Sequence, residues 1–418
     1  MSLRTTTRKG DKLTTAKPYD IAIIGGGILG IATAMQTAAK HPRLRIAVFE
    51  KEPRIAAHQT GHNSGVIHSG IYYAPGSLKA KNCVGGAEAL KRFADENGIK
   101  YELCGKVIIA TTEEELPRLQ ELHRRGVANG VQGLEVIDRS RINEIEPNAA
   151  GIRGLYSPNT GIIDFTEVTR AYAAKFEQTG GEIKLDTRVE DIIERAGGVI
   201  LQTSQGEIQA SHLINCAGLY ADVIAKMMGA AEDLRIVPFR GEYYELRPEA
   251  HSLIRGLIYP VPNPEFPFLG VHFTKRVNGT MEAGPNAVLA FAREGYTKTT
   301  FDPRESFDAL GYGGFWTMAR KYWKTGLHEI YRSFSKQAFT KALQRLVPSI
   351  REEDLIGGGS GVRAQAVASD GKLLDDFRIV ESANAIHVLN APSPGATASL
   401  AISAGILTMA ETAFSLNQ

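Results

Sequence analysis

The chain is poor in features that would mark a special class of protein. Its 418 residues include three cysteines, Cys83, Cys104 and Cys216, without CxxC or Cys/His spacing. This pattern disfavours a disulfide framework and a metal site, so we expect small buried residues in a reducing compartment and no metal. Lysine and arginine number 48 against 46 acidic residues, a net charge of +2, which gives no general reason to expect nucleic acid as a partner.

Long hydrophobic runs are equally scarce. Residues 21–39 are nearly free of charge, but four glycines in this stretch favour a buried strand followed by a buried helix over a bilayer span. Residues 1–16 are polar and basic without the apolar region of a secretory signal. We expect them to form a disordered arm, with a weak organelle-targeting sequence as the minor alternative. The hydrophobic content of 43% allows a large core, and the length favours two domains.

What the chain does contain is a glycine-rich turn between two apolar segments. The pattern predicts a strand over 20–24, a turn over 25–30, a helix over 31–39 and a second strand over 44–50. Strand, turn, helix and strand in this order are typical of a βαβ dinucleotide-binding unit. The complete unit is a much more specific signal than a glycine turn alone.

Four residues of this unit have roles that the motif assigns. Gly25 permits the tight turn, Gly27 lets the backbone approach a pyrophosphate, and Gly30 lets the helix pack closely on the strand. Glu50 ends the second strand, where it could accept hydrogen bonds from an adenosine ribose.

The sequence after Glu50 indicates which dinucleotide is bound. A nicotinamide dehydrogenase would usually continue with alternating strands and helices, whereas residues 53–76 form a loop rich in His, Asn, Ser and Gly. This departure favours FAD. Three later segments suggest returns to the same domain: a helix over 165–178 with an edge strand over 180–189, a strand over 212–218, and a strand-to-helix junction over 385–399 with a helix over 400–414.

These motifs together resemble the FAD-dependent oxidases and dehydrogenases of the D-amino-acid-oxidase superfamily. The segments that carry the resemblance are the opening βαβ unit, 61–73, Asn215-Cys216-Ala217-Gly218, Gly361-Val362-Arg363 and Pro394-Gly395-Ala396-Thr397. Within the superfamily, residues 62–80 and 268–274 are similar to the L-2-hydroxyglutarate dehydrogenase/oxidase subfamily.

The resemblance implies an α/β fold with two domains. A discontinuous, Rossmann-like FAD-binding domain would comprise 17–98, 151–232 and 346–418. A substrate-binding α+β domain built on an antiparallel β-sheet would comprise 99–150 and 233–345, with candidate strands at 106–110 and 287–291.

The resemblance also implies a set of cofactor-binding residues, which extends over all three segments of the FAD domain. The expected set is Gly25, Gly27, Ile28, Gly30, Glu50, Lys51, Asn63, Ser64, Gly65, Arg188, Val189, Ala217, Gly218, Gly361, Pro394, Gly395, Ala396 and Thr397.

The chemistry implied is oxidation of L-2-hydroxyglutarate to 2-oxoglutarate by hydride transfer to the flavin N5, with quinone or oxygen as the electron acceptor. Such a reaction needs a group that holds the carboxylate and a base that takes the hydroxyl proton. Arg363, in a predicted Gly-x-Arg turn, would bind the carboxylate through two parallel hydrogen bonds. His68 or His272 would act as the base, and His62 ranks below both. A surface arginine and structural histidines are the alternatives.

Further substrate contacts are expected from Tyr73 and Tyr259, besides Arg363. A dicarboxylate needs a second anion site, and the sequence leaves several candidates open: Lys79, Arg240, Tyr259 and Lys275. Two other functions stay open on the same scaffold. One is an amine or amino-acid oxidase of the glycine or sarcosine type, and the other is a flavin-binding protein without turnover.

Residues 313–345 combine aromatic and basic side chains. Both tryptophans of the chain, Trp316 and Trp323, lie here together with seven basic residues and one acid. This composition suits contact with an anionic membrane. The alternative is a helix pair over the substrate domain, with the aromatics in its core. Together with the reducing compartment that the cysteines indicate, this leads us to expect a cytoplasmic protein. Peripheral contact with the inner face of the membrane is the open question.

Overall fold

The computed structural model describes residues 17–231, 233–263 and 268–416, so the arm predicted over 1–16 lies outside the described residues. The strands are β1 Tyr19–Ile24, β2 Ile46–Phe49, β3 Val66–Ile67, β4 Tyr101–Glu102, β5 Lys106–Ala110, β6 Glu135–Asp138, β7 Arg153–Ser157, β8 Gly161–Ile163, β9 Glu182–Lys184, β10 Val189–Arg195, β11 Gly198–Thr203, β12 Gly206–Asn215, β13 Leu234–Leu246, β14 Leu257–Pro260, β15 His272–Lys275, β16 Met281–Gly284, β17 Val288–Leu289, β18 Leu355–Ala368, β19 Arg378–Ser382 and β20 Ala385–Asn390. The α-helices are α1 Ile28–Lys40, α2 Leu78–Glu96, α3 Leu116–Ala128, α4 Arg139–Ile145, α5 Phe165–Gln178, α6 Ala221–Met227, α7 Pro303–Leu310, α8 Gly313–Phe334, α9 Lys336–Gln344 and α10 Ser399–Ala413. Short 3₁₀ helices lie at Glu113–Glu115, Gly218–Tyr220, Pro248–Leu253 and Glu352–Asp354.

The first sheet has eight strands and contains the predicted βαβ unit. Its order is β10, β11, β12, β1, β2 and β9, with β20 beside β12 and β19 beside β20. Strand β1 pairs in parallel with both β2 and β12, and β12 pairs in parallel with β20. The carboxyl ends of these strands therefore meet at one edge of the sheet, where ligands bind in open α/β sheets.

Helices α1, α2, α5 and α10 cover one face of this sheet and share its core. Small buried residues on α1, such as Ala32 and Ala34, let the helices approach closely. Asp164 caps α5 by accepting a hydrogen bond from the Thr166 N–H at 2.7 Å, which fixes where the helix begins. The predicted helix over 165–178 is confirmed with its bounds, and α1 and α10 begin three residues and one residue earlier than predicted.

The second sheet has nine strands in the order β17, β13, β16, β15, β14, β5, β7 and β6, with β18 paired to β13. The predicted strand over 106–110 is β5, whereas the strand predicted over 287–291 is limited to β17. Strands β7 and β18 belong to this sheet although the predicted boundaries place their residues in the FAD-binding domain. The chain thus crosses between the sheets within those segments, and the domain bounds stay a prediction.

The mixed α/β fold class is confirmed. A third, small sheet joins β3, β8 and β4.

The structure corrects the turn predicted at Gly361-Val362-Arg363. These residues lie inside β18, which pairs antiparallel with β13 through Gly361 opposite Gly241 and Arg363 opposite Phe239. The neighbouring glycines do not turn the chain. A Cβ atom at Gly361 would collide with the carbonyl oxygen of His62, so glycine permits another segment to approach the strand.

Residues 313–345 form two helices, α8 and α9, separated at Ser335, whose side chain caps α9 by accepting from the Ala338 N–H at 3.1 Å. Phe315 and Phe339 are buried, while Trp316, Trp323, Tyr331 and Phe334 are exposed. The aromatics therefore divide between core and surface, and neither alternative predicts this in full. Among the described residues, no helix has both the length and the apolarity that a bilayer crossing requires.

The cysteines are only partly as expected. Cys83 is fully buried in α2, but Cys104 and Cys216 keep some solvent contact. Burial raises the pKa of the Cys83 thiol to about 12, so it is protonated and inert at neutral pH.

Candidate active site

The glycine turn after β1 can receive an anion. Gly25 has a φ of +109°, and a Cβ atom there would collide with the carbonyl oxygen of Cys216. A Cβ at Gly30 would collide with the Gly25 carbonyl. Gly27 differs from both, because its Cβ would meet only the Thr60 Oγ1, at 3.4 Å. It is the N-cap of α1, whose first turn contains no acidic residue, so the positive end of the helix dipole lies open to a phosphate group.

Glu50 lies directly beside this turn. Its buried carboxylate accepts hydrogen bonds from the N–H groups of Gly26 at 2.7 Å and Glu52 at 2.9 Å. A carboxylate has about four lone-pair sites, so two remain for a ligand. The ribose contact predicted for Glu50 fits this position and stays a prediction.

Lys51 lies in a cluster of charged side chains instead of open space. Its ammonium contacts the carboxylates of Glu52 and Glu294 and the His58 Nε2. Burial lowers the pKa of Lys51, but the hydrogen bonds to the two carboxylates outweigh burial and raise the pKa overall. The cluster joins the loop after β2 to the segment after β17.

The other predicted cofactor residues lie along the same edge. Ile28 is the first residue of α1 and donates its N–H to Thr60 at 3.0 Å. The Asn63 Oδ1 accepts from the Gly65 N–H at 2.8 Å, which fixes the loop that includes Ser64. The Ala217 N–H donates to the Asn215 Oδ1 at 3.1 Å.

Residues from the last cofactor segment reach the same loop. Thr397 is buried before α10, accepts from the His68 N–H at 3.2 Å and donates to the Val66 carbonyl at 3.2 Å. Pro394, Gly395 and Ala396 form the turn that leads to it. At Gly218 a Cβ would lie 2.8 Å from the Gln59 Oε1. Arg188 and Val189 lie beyond Thr187, whose N–H donates to the Glu50 carbonyl at 2.8 Å.

A second group of polar residues shares one face of the nine-stranded sheet. Tyr259 pairs with Ile108, and Leu257 with Lys106, so Lys106 and Tyr259 point to the same side. The rings of Tyr259 and His272 stack with their centroids 3.9 Å apart. The Lys106 Nζ lies 5.0 Å from the centroid of the Tyr259 ring and 4.8 Å from that of Tyr72.

Arg363 lies on β18. In the strand order of this sheet, β15 with His272 lies between β18 and β5, the strand that carries Lys106. The Arg363 Cζ lies 4.6 Å above the centroid of the Phe268 ring, and its side chain is exposed to solvent. Burial, reinforced by the positive charges of Lys106 and Arg363, lowers the pKa of His272 to about 4. The imidazole is therefore neutral at pH 7 and lies between two cations.

His68 shares this environment. Burial and the charge of Lys106 lower its pKa to about 3, and its Nε2 lies 3.3 Å from the Ser393 Oγ. The buried Nδ1 of His68 and the hydroxyl of Tyr72 have no hydrogen-bond partner among the residues that the structure describes. Buried polar atoms are normally paired, so this face fits a polar ligand.

The protonation of His272 follows from its hydrogen bond. Its Nδ1 lies 2.9 Å from the Gly270 carbonyl oxygen. Because a carbonyl can only accept, Nδ1 carries the proton and Nε2 of the neutral ring carries a lone pair. His272 can therefore take a proton from a ligand at Nε2.

The structure thus brings together His68, Tyr259, His272 and Arg363, and it places Tyr73 within electrostatic range of Tyr259. The other second-anion candidates have carboxylate partners: Lys79 with Asp375 at 2.7 Å, Arg240 with Glu242 at 2.9 Å, and Lys275 with Glu102 at 2.5 Å. His62 lies apart, stacked on Tyr296 with ring centroids 4.3 Å apart. The roles of all these residues stay predictions.

Sequence reasoning missed Lys106. It is 1% exposed, and burial lowers the pKa of its ammonium to about 8. The signal was a charged residue at the start of the apolar run Lys106-Val107-Ile108-Ile109-Ala110. A lysine is rarely buried without an acidic partner, and a strand alternation places it on the face of Ile108.

Comparison with known proteins gives a consistent result. A family model described as FAD dependent oxidoreductase (DAO) matches residues 20–408. The chain is 51% identical over 385 residues to L-2-hydroxyglutarate dehydrogenase of Indibacter alkaliphilus, with 92% of this chain and 96% of that protein covered. It is 46% identical over 395 residues to L-2-hydroxyglutarate dehydrogenase of Escherichia coli strain K12, with 94% and 93% covered.

Solved structures of the same fold are more distant in sequence. The L-α-glycerophosphate oxidase of Mycoplasma pneumoniae, solved with FAD bound, superposes with a TM-score of 0.76 at 22% identity, covering 93% of this chain and 94% of that chain. The glycine oxidase of Geobacillus kaustophilus superposes with a TM-score of 0.67 at 20% identity, covering 94% of each chain. At these identities the likeness extends to the fold alone.

Proposed function

The chain belongs to the family of FAD-dependent oxidoreductases, and on that premise we propose that it oxidises L-2-hydroxyglutarate to 2-oxoglutarate. The prediction of FAD as the cofactor is confirmed by the family match. Gly25, Gly27, Gly30 and the N-terminus of α1 would hold its diphosphate. When bound, FAD supplies a two-electron acceptor for the hydride of the hydroxyl-bearing carbon.

One observation carries the proposal: His272 lies on β15, between the strands that carry Lys106 and Arg363, and its imidazole is neutral at pH 7. An anionic hydroxy acid would be attracted by both charges, and Arg363 would fork the carboxylate next to the hydroxyl group. Nε2 of His272 would then take the hydroxyl proton. The bound carboxylates would offset the two positive charges and raise the pKa of His272, so the base would become stronger when the substrate is present.

The test is anaerobic mixing of the FAD-loaded protein with candidate substrates while flavin absorbance is followed. We expect L-2-hydroxyglutarate to bleach the flavin and the D-enantiomer, glycine and sarcosine to leave it oxidised. Bleaching by glycine or sarcosine alone would instead support the amine oxidase alternative. If none of these compounds reduces the flavin, the proposal fails and a flavin-binding protein without turnover is favoured.

Two substitutions separate the assigned roles in the same experiment. Arg363→Ala should chiefly raise the substrate concentration needed for half-maximal bleaching, because it removes a charge-assisted contact. His272→Gln should chiefly slow bleaching at saturating substrate. Arg378→Ala is the control, since Arg378 forms an exposed ion pair with Asp233 at 3.2 Å. If Arg363→Ala leaves both binding and reduction unchanged, that assignment is wrong.

For the reoxidation step we propose quinone as the acceptor, with oxygen as the alternative, and peripheral contact between α8 and an anionic membrane. The support is a stripe of exposed side chains along α8. Its members are Trp316, Arg320, Trp323, Leu327, Ile330 and Phe334. These positions recur every three or four residues, so they lie on one side of the helix. A quinone-reducing enzyme on the bilayer would lie close to its acceptor.

A further inference from the structure

We infer that Lys106 binds the second carboxylate of the substrate, the one remote from the hydroxyl-bearing carbon, and thereby selects dicarboxylates over monocarboxylates. The inference rests on the proposed function and assigns a residue to the anion site for which the sequence left several candidates. It depends on three features of Lys106: its burial, its neighbours and its position relative to Arg363.

Burial makes Lys106 unusual among the lysines that the structure describes. Its side chain is almost completely removed from solvent, and among the described residues no carboxylate lies within ion-pair distance of it. Removing an ammonium from water without an acidic partner is costly. Lys79 and Lys275, which were candidates for the same role, already contact Asp375 and Glu102.

The neighbours of Lys106 compensate for this cost only in part. The rings of Tyr72 and Tyr259 provide cation–π contacts at 4.8 and 5.0 Å. Such contacts stabilise a cation but leave its N–H donors without acceptors. The hydroxyl group of Tyr72 is itself buried without a partner in the described part of the chain. A carboxylate could accept hydrogen bonds from both groups and would also offset the charge of the ammonium, whereas an amide oxygen accepts hydrogen bonds but carries no charge.

The position of Lys106 also matches the shape of a dicarboxylate. In the nine-stranded sheet, β15 with His272 lies between β5 with Lys106 and β18 with Arg363, so the base lies between the two cations. A 2-hydroxy dicarboxylate has its reacting carbon beside one carboxylate and its second carboxylate further along the chain. With the first carboxylate on Arg363 and the hydroxyl group on His272, the second extends toward Lys106. A lysine binds as a point charge and suits a single remote anion.

The inference is tested by ligand binding without turnover. Glutarate and its monoamide differ in the charge of one end only, and neither has a hydroxyl group to oxidise. Their affinities for the FAD-loaded protein are measured by the change in flavin absorbance. We expect the wild-type protein to prefer glutarate by roughly tenfold or more, the range of a charge-assisted hydrogen bond. Lys106→Gln should lose most of this preference, with the affinity for the monoamide nearly unchanged.

Two further variants make the result specific. Lys106→Arg keeps the charge and should retain part of the preference. Lys275→Gln removes a partly buried lysine on β15, two strands from β5, whose ammonium already contacts Glu102, and should leave the preference unchanged. Should neither variant of Lys106 bind FAD, the wild-type affinity ratio measured against pH carries the test, because loss of the ammonium proton should abolish the preference for glutarate.

Other outcomes would overturn the inference. If Lys106→Gln weakens the binding of glutarate and of its monoamide equally, Lys106 does not bind the remote carboxylate. A variant that keeps the preference but is slower in flavin reoxidation by oxygen would place Lys106 against the cofactor. If Lys106→Gln loses the preference for glutarate but L-2-hydroxyglutarate does not bleach the flavin of the wild-type protein, the proposed reaction fails while Lys106 is still the site of the remote carboxylate.

Discussion

At the scale of single residues, the three glycines of the first turn have different requirements. Cβ atoms at Gly25 and Gly30 would collide with backbone atoms of the protein itself, whereas at Gly27 the nearest atom is the side-chain oxygen of Thr60. Substitution at Gly27 therefore tests ligand binding rather than folding. We expect Gly27→Val to give a folded but colourless protein, because a branched side chain blocks the approach of the diphosphate.

The measurement is flavin content per protein chain, with circular dichroism as the measure of folding. Gly30→Val should fail to fold, since its Cβ collides with the Gly25 carbonyl. Gly85→Ala is the opposite control. Gly85 lies within α2 with open space around it, so alanine should keep full flavin content and stabilise the helix by about 1 kcal/mol. Full flavin content in Gly27→Val would refute the role of this turn.

Deprotonation of Lys106 should make dicarboxylate binding depend on pH. Burial lowers its pKa to about 8, so the free protein holds the cation below this pH and loses it above. A bound carboxylate favours the protonated form and raises the pKa of the complex. Affinity for glutarate should thus be constant below pH 8 and fall by roughly tenfold for each further pH unit until the pKa of the complex is reached.

In the free protein, the other titratable groups that face Lys106 do not titrate in this range. His68 and His272 have pKa values of about 3 and 4 and are neutral above pH 6. Burial raises the pKa of Cys83 from α2 to about 12 and raises those of Tyr72 and Tyr259 as well. Titration calorimetry with glutarate and its monoamide from pH 6 to 10 provides the check. Parallel pH curves for the two ligands would contradict the prediction.

At the scale of elements, local signals predicted five of the eight strands of the first sheet, whereas β10, β11 and β19 were not predicted. Helix α5 was predictable with its bounds because Asp164 caps its start and apolar residues recur with helical spacing after it. Strand β5 was predictable as an apolar run of five residues. The turn, helix and second strand of the βαβ unit are also close to their predicted positions, since these contacts are local in sequence.

The elements that sequence reasoning placed wrongly or missed depend on distant partners. The glycines of 357–361 predict a turn, yet β18 is held extended by β13, more than a hundred residues away. The role of Arg363 comes from the family resemblance and stays a prediction, while its position inside a strand could not be predicted from the local sequence. Lys106 was missed for a related reason. Its neighbours are His68 and Tyr72 from the loop after β3 and Tyr259 from β14, and no pattern within β5 predicts these contacts.

At the scale of the whole molecule, the candidate site lies where the two large sheets meet. The Arg276 Nη1, beyond β15, donates to the Asn63 carbonyl at 2.5 Å, and Gly361 of β18 approaches the His62 carbonyl. Thr397, before α10, binds the His68 N–H. These contacts bring the loop 58–68 between the cofactor edge of the first sheet and the polar face of the second. A ligand on this face would therefore lie close to a flavin bound at the edge.

Helix α8 determines how the whole molecule would meet a membrane. It has 22 residues, but only Gly314, Phe315, Met318 and Ser333 of them are buried. Phe334 is 77% exposed and Trp323 56% exposed, and Arg320, Lys321 and Lys324 lie on the exposed part of the helix. We expect binding to anionic vesicles but not to neutral ones, with loss at high salt, because each basic residue near the surface adds about 1 kcal/mol.

Co-sedimentation with vesicles separates the charged and apolar contributions to this binding. Lys321→Glu with Lys324→Glu should weaken binding most at low salt, because the reversed charges repel the anionic lipid. Trp323→Ser with Leu327→Ser should weaken it at every salt concentration, because the lost insertion of apolar surface is not screened. Lys81→Glu with Lys100→Glu gives the same change in net charge at exposed positions outside α8 and should leave binding nearly intact. If this control weakens binding as much as the α8 pair, net charge alone explains the attraction. If wild-type protein does not sediment with anionic vesicles at low salt, the exposed stripe has another role, and a soluble acceptor such as oxygen is favoured.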